Sequence, residues 1–201
     1  MDWWPAGTYP FPTFAASAFL RAVVPPLCLP LLRSLELVWA PFCRADWPQL
    51  EHAALQEWAE TVDWMREHLN LPGLTLRLAL PASAGWGHDE EHRDLTGAEG
   101  EAVLAGYWRI LEPVTRLDAC WDDGAGLARF YAEMAWPWRW CSWVMEKWMR
   151  DEVPRDWVDS KDRQLKARAE RFIMGARYER VCAGPGLPTE SVWSYSCQRH
   201  C

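Results

Sequence analysis

The sequence predicts an α/β fold of stacked β-α units: a leucine-rich-repeat-like open parallel sheet with helices on one side, plus C-terminal helices. Three observations predict it. Short leucine-rich stretches alternate with longer amphipathic ones, strand-like starts fall near residues 34, 74 and 114, and the first two are each followed by a helix that opens on a capping signal. Strands alternating with helices imply crossover connections and parallel pairing. The constant interval of about 40 residues favours stacked, solenoid-like units over a closed barrel.

Residues 1–13, with Pro5, Pro10 and Pro12, read as an irregular arm ahead of a single domain over 14–180. FAASAFLRAVV then makes a short helix ending at Pro25, because the residue before a proline avoids the helical region. After the PPLCLP loop, Leu35, Leu37 and Trp39 alternate with Ser34, Glu36 and Val38, which is the period of a strand. Asp46 caps the next helix, with Gln49 three residues on and Pro48 in the first turn. Its stripe is Leu50, Ala54, Trp58, Val62, Met65 and Leu69. Pro72 and Gly73 stop it, and LTLRLAL forms a second strand with Leu74, Leu76, Leu78 and Leu80 on one side.

The unit repeats after a Gly-rich acidic loop. A second capping box at Thr96 to Glu99 starts a helix with Val103, Leu104, Tyr107, Trp108 and Leu111 on its stripe, ending before Pro113. VTRLDACW gives a third strand, ARFYAEMAW a fourth, and WRWCSWVMEKWMR a short helix. The basic stretch from Asp159 to Arg177 makes a last helix with Leu165, Ala169, Phe172 and Ile173 inward. Residues 181–201 form a loose tail rich in Gly, Pro and Ser.

Half of the residues are hydrophobic, enough for a continuous core, and 16 tryptophans exceed what that core needs. The net charge of -7 argues against a nucleic-acid binder, since phosphate neutralisation needs a basic surface. Charge is uneven along the chain: an acidic middle from Asp46 to Glu101 precedes a mildly basic part from Arg139 to Arg180. The seven cysteines are scattered without a C-x-x-C pair, which favours buried thiols in a reducing compartment over disulfides or a zinc ribbon. Arg21, Pro25, Pro26 and Pro30 interrupt the apolar stretch from Phe14 to Leu32, so no membrane span is expected there. With no basic secretory leader, a cytoplasmic or nuclear location is expected.

Few motifs carry chemistry. In HDEEH, His88 and His92 stand four apart, as two metal ligands on a helix would, yet Asp89 replaces the glutamate of H-E-x-x-H and the flanking glycines favour a solvated loop. Cys197, His200 and Cys201, with Cys182 as a fourth, match no finger spacing. Asp118, Asp122 and Asp123 near a strand end could hold a cation, although D-D-G is an ordinary turn. Phosphate loops, a nucleophile elbow and dinucleotide fingerprints are missing. No cofactor is expected, and a metal-dependent enzyme using the His88/His92 loop is the alternative to a non-catalytic module.

MAWPWRWCSWVMEKW, from 134 to 148, supplies the contact candidates. On a helix starting at Pro137, Trp148 faces the core, Trp138 and Trp140 lie at the borders, and Trp143 falls on the charged face beside Arg139 and Lys147. Trp138, Trp140 and Trp143 are the expected protein-binding residues.

LPLLRSLELVW, the Trp-bearing LQEWAETVDWM and LPGLTLRLAL together resemble the body of uncharacterised fungal F-box-like proteins, over about residues 14 to 136. In that family an F-box-like helical segment often precedes the body; no convincing one is seen here. The resemblance implies a degenerate leucine-rich, solenoid-like α/β body that binds another protein without catalysis.

Overall fold

The computed structural model describes residues 15–39, 53–80, 97–118, 126–134, 136, 150 and 157–182. Three strands, β1 (Ser34–Val38), β2 (Thr75–Leu80) and β3 (Arg129–Met134), form a parallel sheet in the order β1-β2-β3. Among the described residues five α-helices accompany them: α1 (Ala15–Ala22), α2 (Ala53–His68), α3 (Gly97–Val114), α4 (Trp157–Met174) and α5 (Arg177–Cys182). The architecture is mixed α/β with a small parallel sheet, α2 lying between the first two strands and α3 between the last two.

Register fixes the two faces of the sheet. Leu35 pairs with Leu76 and Leu76 with Phe130; Leu37 pairs with Leu78 and Leu78 with Ala132. Side chains alternate along a strand, so these residues share one face with Leu80 and Met134. That face belongs to a single buried core with Trp58, Val62 and Met65 of α2, Tyr107, Ile110 and Leu111 of α3, and Leu165, Ala169 and Ile173 of α4. The other face carries Glu36, Arg77 and Glu133, with Arg77 reaching Glu36 at 3.9 Å and Glu133 at 3.3 Å.

The α2 stripe is buried at Ala54, Trp58, Val62, Met65 and Leu69, as its spacing requires. Leu50 and the capping residues Asp46 and Gln49 lie outside the described residues, as does Thr96 ahead of α3. Trp58, fully buried, satisfies its indole N–H by donating to the carbonyl of Ile110 at 2.7 Å, which ties α2 to α3. Its ring meets Trp39 edge-on at 5.4 Å.

Four expectations change. The segment from Val114 to Asp118 is not a strand: Val114 closes α3 and Thr115–Leu117 is a 3-10 turn. Val114 and Leu117 are both buried, and apolar residues three apart suit a helical turn rather than the two-residue period of a strand. The predicted fourth strand therefore takes third place, and the strand starts at Ser34, Thr75 and Arg129 are not evenly spaced. Pro113 sits inside α3 rather than ending it: in the last turn it removes one helical hydrogen bond, and the chain tightens directly afterwards. Phe172 is not inward but 47% exposed, its ring against Trp108 at 5.5 Å.

Candidate protein-binding edge

The two edges of the sheet are finished differently. On β1, the amide of Thr75 donates to the carbonyl of Arg33 and the amide of Trp39 to the carbonyl of Ala79, both at 2.9 Å. In a parallel ladder a residue's N–H and C=O point to the same side and alternate along the chain. The backbone groups of Leu35 and Leu37 therefore face β2, and those of Ser34, Glu36 and Val38 face away. No described strand pairs with that outer side.

The outer edge of β3 is closed. The Ala132 amide donates to Glu170 at 3.2 Å and the Trp136 amide to Asp162 at 2.7 Å, both carboxylates projecting from α4. Asp162 and Glu170 stand two helical turns apart, and Lys166 between them reaches Glu133 at 2.6 Å. Burial raises the Glu170 carboxyl to about 7, with Glu133 adding to the rise and the Ala132 amide and Lys166 opposing it. Burial likewise raises the Tyr107 hydroxyl, helped by the charge of Asp162.

Exposed apolar side chains recur along the chain that leads into β1. Phe19, Val23, Leu27, Leu31 and Val38 are exposed, Leu27 at 89% and Val38 at 60%. Four of these lie in the stretch that leads into β1, and Val38 is on the strand itself. Prolines explain the pattern: Pro26–Leu31 is a 3-10 helix with Pro25 just ahead of it and Pro30 inside it. At three residues per turn, positions two before and two after a buried residue turn away from the core. Leu29 is buried, so Leu27 and Leu31 point outward.

The described tryptophans behave otherwise. Trp39 and Trp58 are buried and Trp64, Trp108, Trp136 and Trp157 are half-buried. Cations cover several of these rings: Arg21 lies over Trp64 at 5.5 Å, Arg168 over Trp108 at 4.9 Å and Lys161 over Trp157 at 5.4 Å. Trp138, Trp140 and Trp143 lie outside the described residues, as do His88, His92, Asp122, Asp123, Cys197, His200 and Cys201.

Compared with protein-family models, curated proteins and solved structures, the chain matches none. Its chemistry is therefore read from its own residues.

Asp118 is structural. It ends a 3-10 turn, not a strand, and ion-pairs with Arg177, whose other nitrogen donates to the Leu127 carbonyl at 2.6 Å. This clamp ties α5 to the turn that enters β3, and Gly126 is the residue it closes over. Among the described residues no group of three or more His, Cys, Asp or Glu side chains is placed to hold a metal ion, and no helix is long and apolar enough to cross a membrane. What the open edge offers is backbone hydrogen bonding beside apolar surface. Sequence reasoning missed Leu27 and Leu31 because PPLCLP reads as a plain loop; the signal was the proline-rich run itself, which as a 3-10 helix cannot bury leucines spaced two apart on one side.

Proposed function

We propose that this chain is a non-catalytic protein–protein interaction module. The observation that carries it is the run of exposed apolar residues, Phe19, Val23, Leu27, Leu31 and Val38, along the stretch leading into an edge strand whose outer backbone groups meet no other described strand. Single exposed leucines are ordinary, whereas several exposed apolar residues within one short stretch beside an unpaired strand edge are what a contact surface offers. The partner is another protein, met in the cytoplasm or nucleus; the charge of -7 disfavours nucleic acid. The F-box-like, leucine-rich-repeat-like character is part of this proposal. The alternation of strands and helices supports it, and the uneven strand spacing does not. Trp138, Trp140 and Trp143 are proposed as additional contacts.

Affinity capture from host cells tests it, using the natural chain, a Leu27→Asp/Leu31→Asp double variant and Trp143→Ala. Substitutions at exposed positions such as Leu27 and Leu31 change stability by about 0.5 kcal/mol or less, so the double variant should melt like the natural chain. The expected result is a partner retained by the natural chain, lost by the double variant and weakened by Trp143→Ala. Retention indifferent to Leu27 and Leu31 would overturn the proposal.

A further inference from the structure

We infer that β1 receives an added strand from its partner, an extended segment in which basic and apolar residues alternate. The inference rests on the interaction reading above and names the mode and chemistry of the contact.

The mode follows from the backbone. The outward N–H and C=O groups of Ser34, Glu36 and Val38 form a row that an extended chain completes, and strand addition draws its affinity from such main-chain bonds. The molecule treats this edge unlike the other: two α4 carboxylates occupy the outer amides beside β3, and none of the described hydrogen bonds occupies those of β1.

The chemistry follows from the side chains. A strand laid beside β1 places alternate residues next to Glu36 and Val38 on the face away from the core. The Glu36 side chain is 46% exposed, and its one described cation, Arg77, stands 3.9 Å away and is shared with Glu133 at 3.3 Å. Its carboxylate has room for a second cation. The alternate residues of the segment fall on the opposite face, beside Leu35, which is half-buried at the rim of the core and offers them apolar surface. Arg33, next to Ser34, is turned elsewhere: its guanidinium donates to the Pro30 carbonyl at 3.2 Å and lies over Gly73. The whole chain, at -7, attracts a basic segment and repels a second copy of itself.

The test uses the full chain and a capped synthetic peptide, Lys-Val-Lys-Val-Lys-Val-Lys, followed by amide hydrogen exchange. The expected result is exchange at Ser34, Glu36 and Val38 slowed about tenfold or more on binding, with Leu35 and Leu37 unchanged because their amides already face β2. Glu36→Lys should weaken the peptide about tenfold and improve binding of the matching Glu-Val peptide. The lysine peptide N-methylated along one pairing edge should not bind, a control that leaves the protein unaltered. Binding without protection of the three outer amides would show mere attraction to an acidic surface and overturn the inference. So would equal binding of the Glu-Val peptide, or protection of the same amides in a peptide-free dimer. If a Leu27- and Leu31-dependent partner is captured from cells but leaves these amides unprotected, strand addition fails and the interaction reading stands. If the peptide protects them while captured partners ignore Leu27 and Leu31, the added strand stands and the apolar contact falls.

Discussion

At the scale of single residues, Gly126 is held in place by what surrounds it. A Cβ there would run into the Asp118 carboxylate and the Arg177 guanidinium, both locked in one ion pair that also grips Leu127. Neither group can retreat without leaving a half-buried charge unpaired. Gly126→Ala is therefore expected to cost about 2–3 kcal/mol, read as a lower denaturation midpoint with an unchanged slope. Glu170 gives a pH signature. Its carboxyl rises from an ordinary 4.5 to about 7 in the fold, so the folded protein holds a proton that the unfolded chain releases. Its contribution to stability is complete below pH 4.5 and is lost as pH rises through 7. A glutamine keeps the oxygen that accepts the Ala132 amide and has no proton to lose. Glu170→Gln should flatten this part of the stability profile, and should leave the protein more stable than the natural chain at pH 8; a parallel decline in both melting curves would contradict it.

At the scale of elements, α4 does more than cover the core. Its buried Ala169, Ile173 and Met174 pack inward while Asp162 and Glu170 cap the outer amides beside β3. Hydrogen exchange of the free protein should therefore find the Ala132 and Trp136 amides protected and the Glu36 and Val38 amides fast. Comparable rates at the two edges would mean that β1 is covered. The inward face of α4 was legible at Leu165, Ala169 and Ile173, because apolar residues three and four apart admit one buried stripe. Phe172 broke the pattern through a tertiary contact, since Trp108 of α3 offers a ring to lie against outside the core. The strand at 129–134 was legible from Phe130, Ala132 and Met134, whereas Val114 to Asp118 was not, because five residues of mixed polarity fit either period. Edge pairing was not legible at all: which strand lies outermost depends on contacts far apart in sequence.

At the scale of the whole molecule, alternating strands and helices sufficed to foresee a parallel sheet, because two consecutive strands joined by a helix have few other ways to bury their leucines. The exposed site escaped notice for the opposite reason: sequence pattern reports what must be hidden, and Leu27 and Leu31 resemble residues that should be. Net charge acts at this scale as well. Association of the lysine peptide should slow about tenfold between 50 mM and 500 mM salt, as steering by the -7 field is screened. The melting temperature should barely move over that range, since exposed ion pairs such as Arg116–Asp63 and Arg171–Glu179 add little stability.

The unequal edges also set a limit on growth. Continuous strand-to-strand stacking requires every subunit to offer two complementary sides, so that each addition exposes a fresh one. Here the Asp162 and Glu170 carboxylates occupy amides on one of those sides, leaving the sheet a valence of one. A unit of this kind can seat a single added strand, and that event terminates the assembly instead of seeding a fibre.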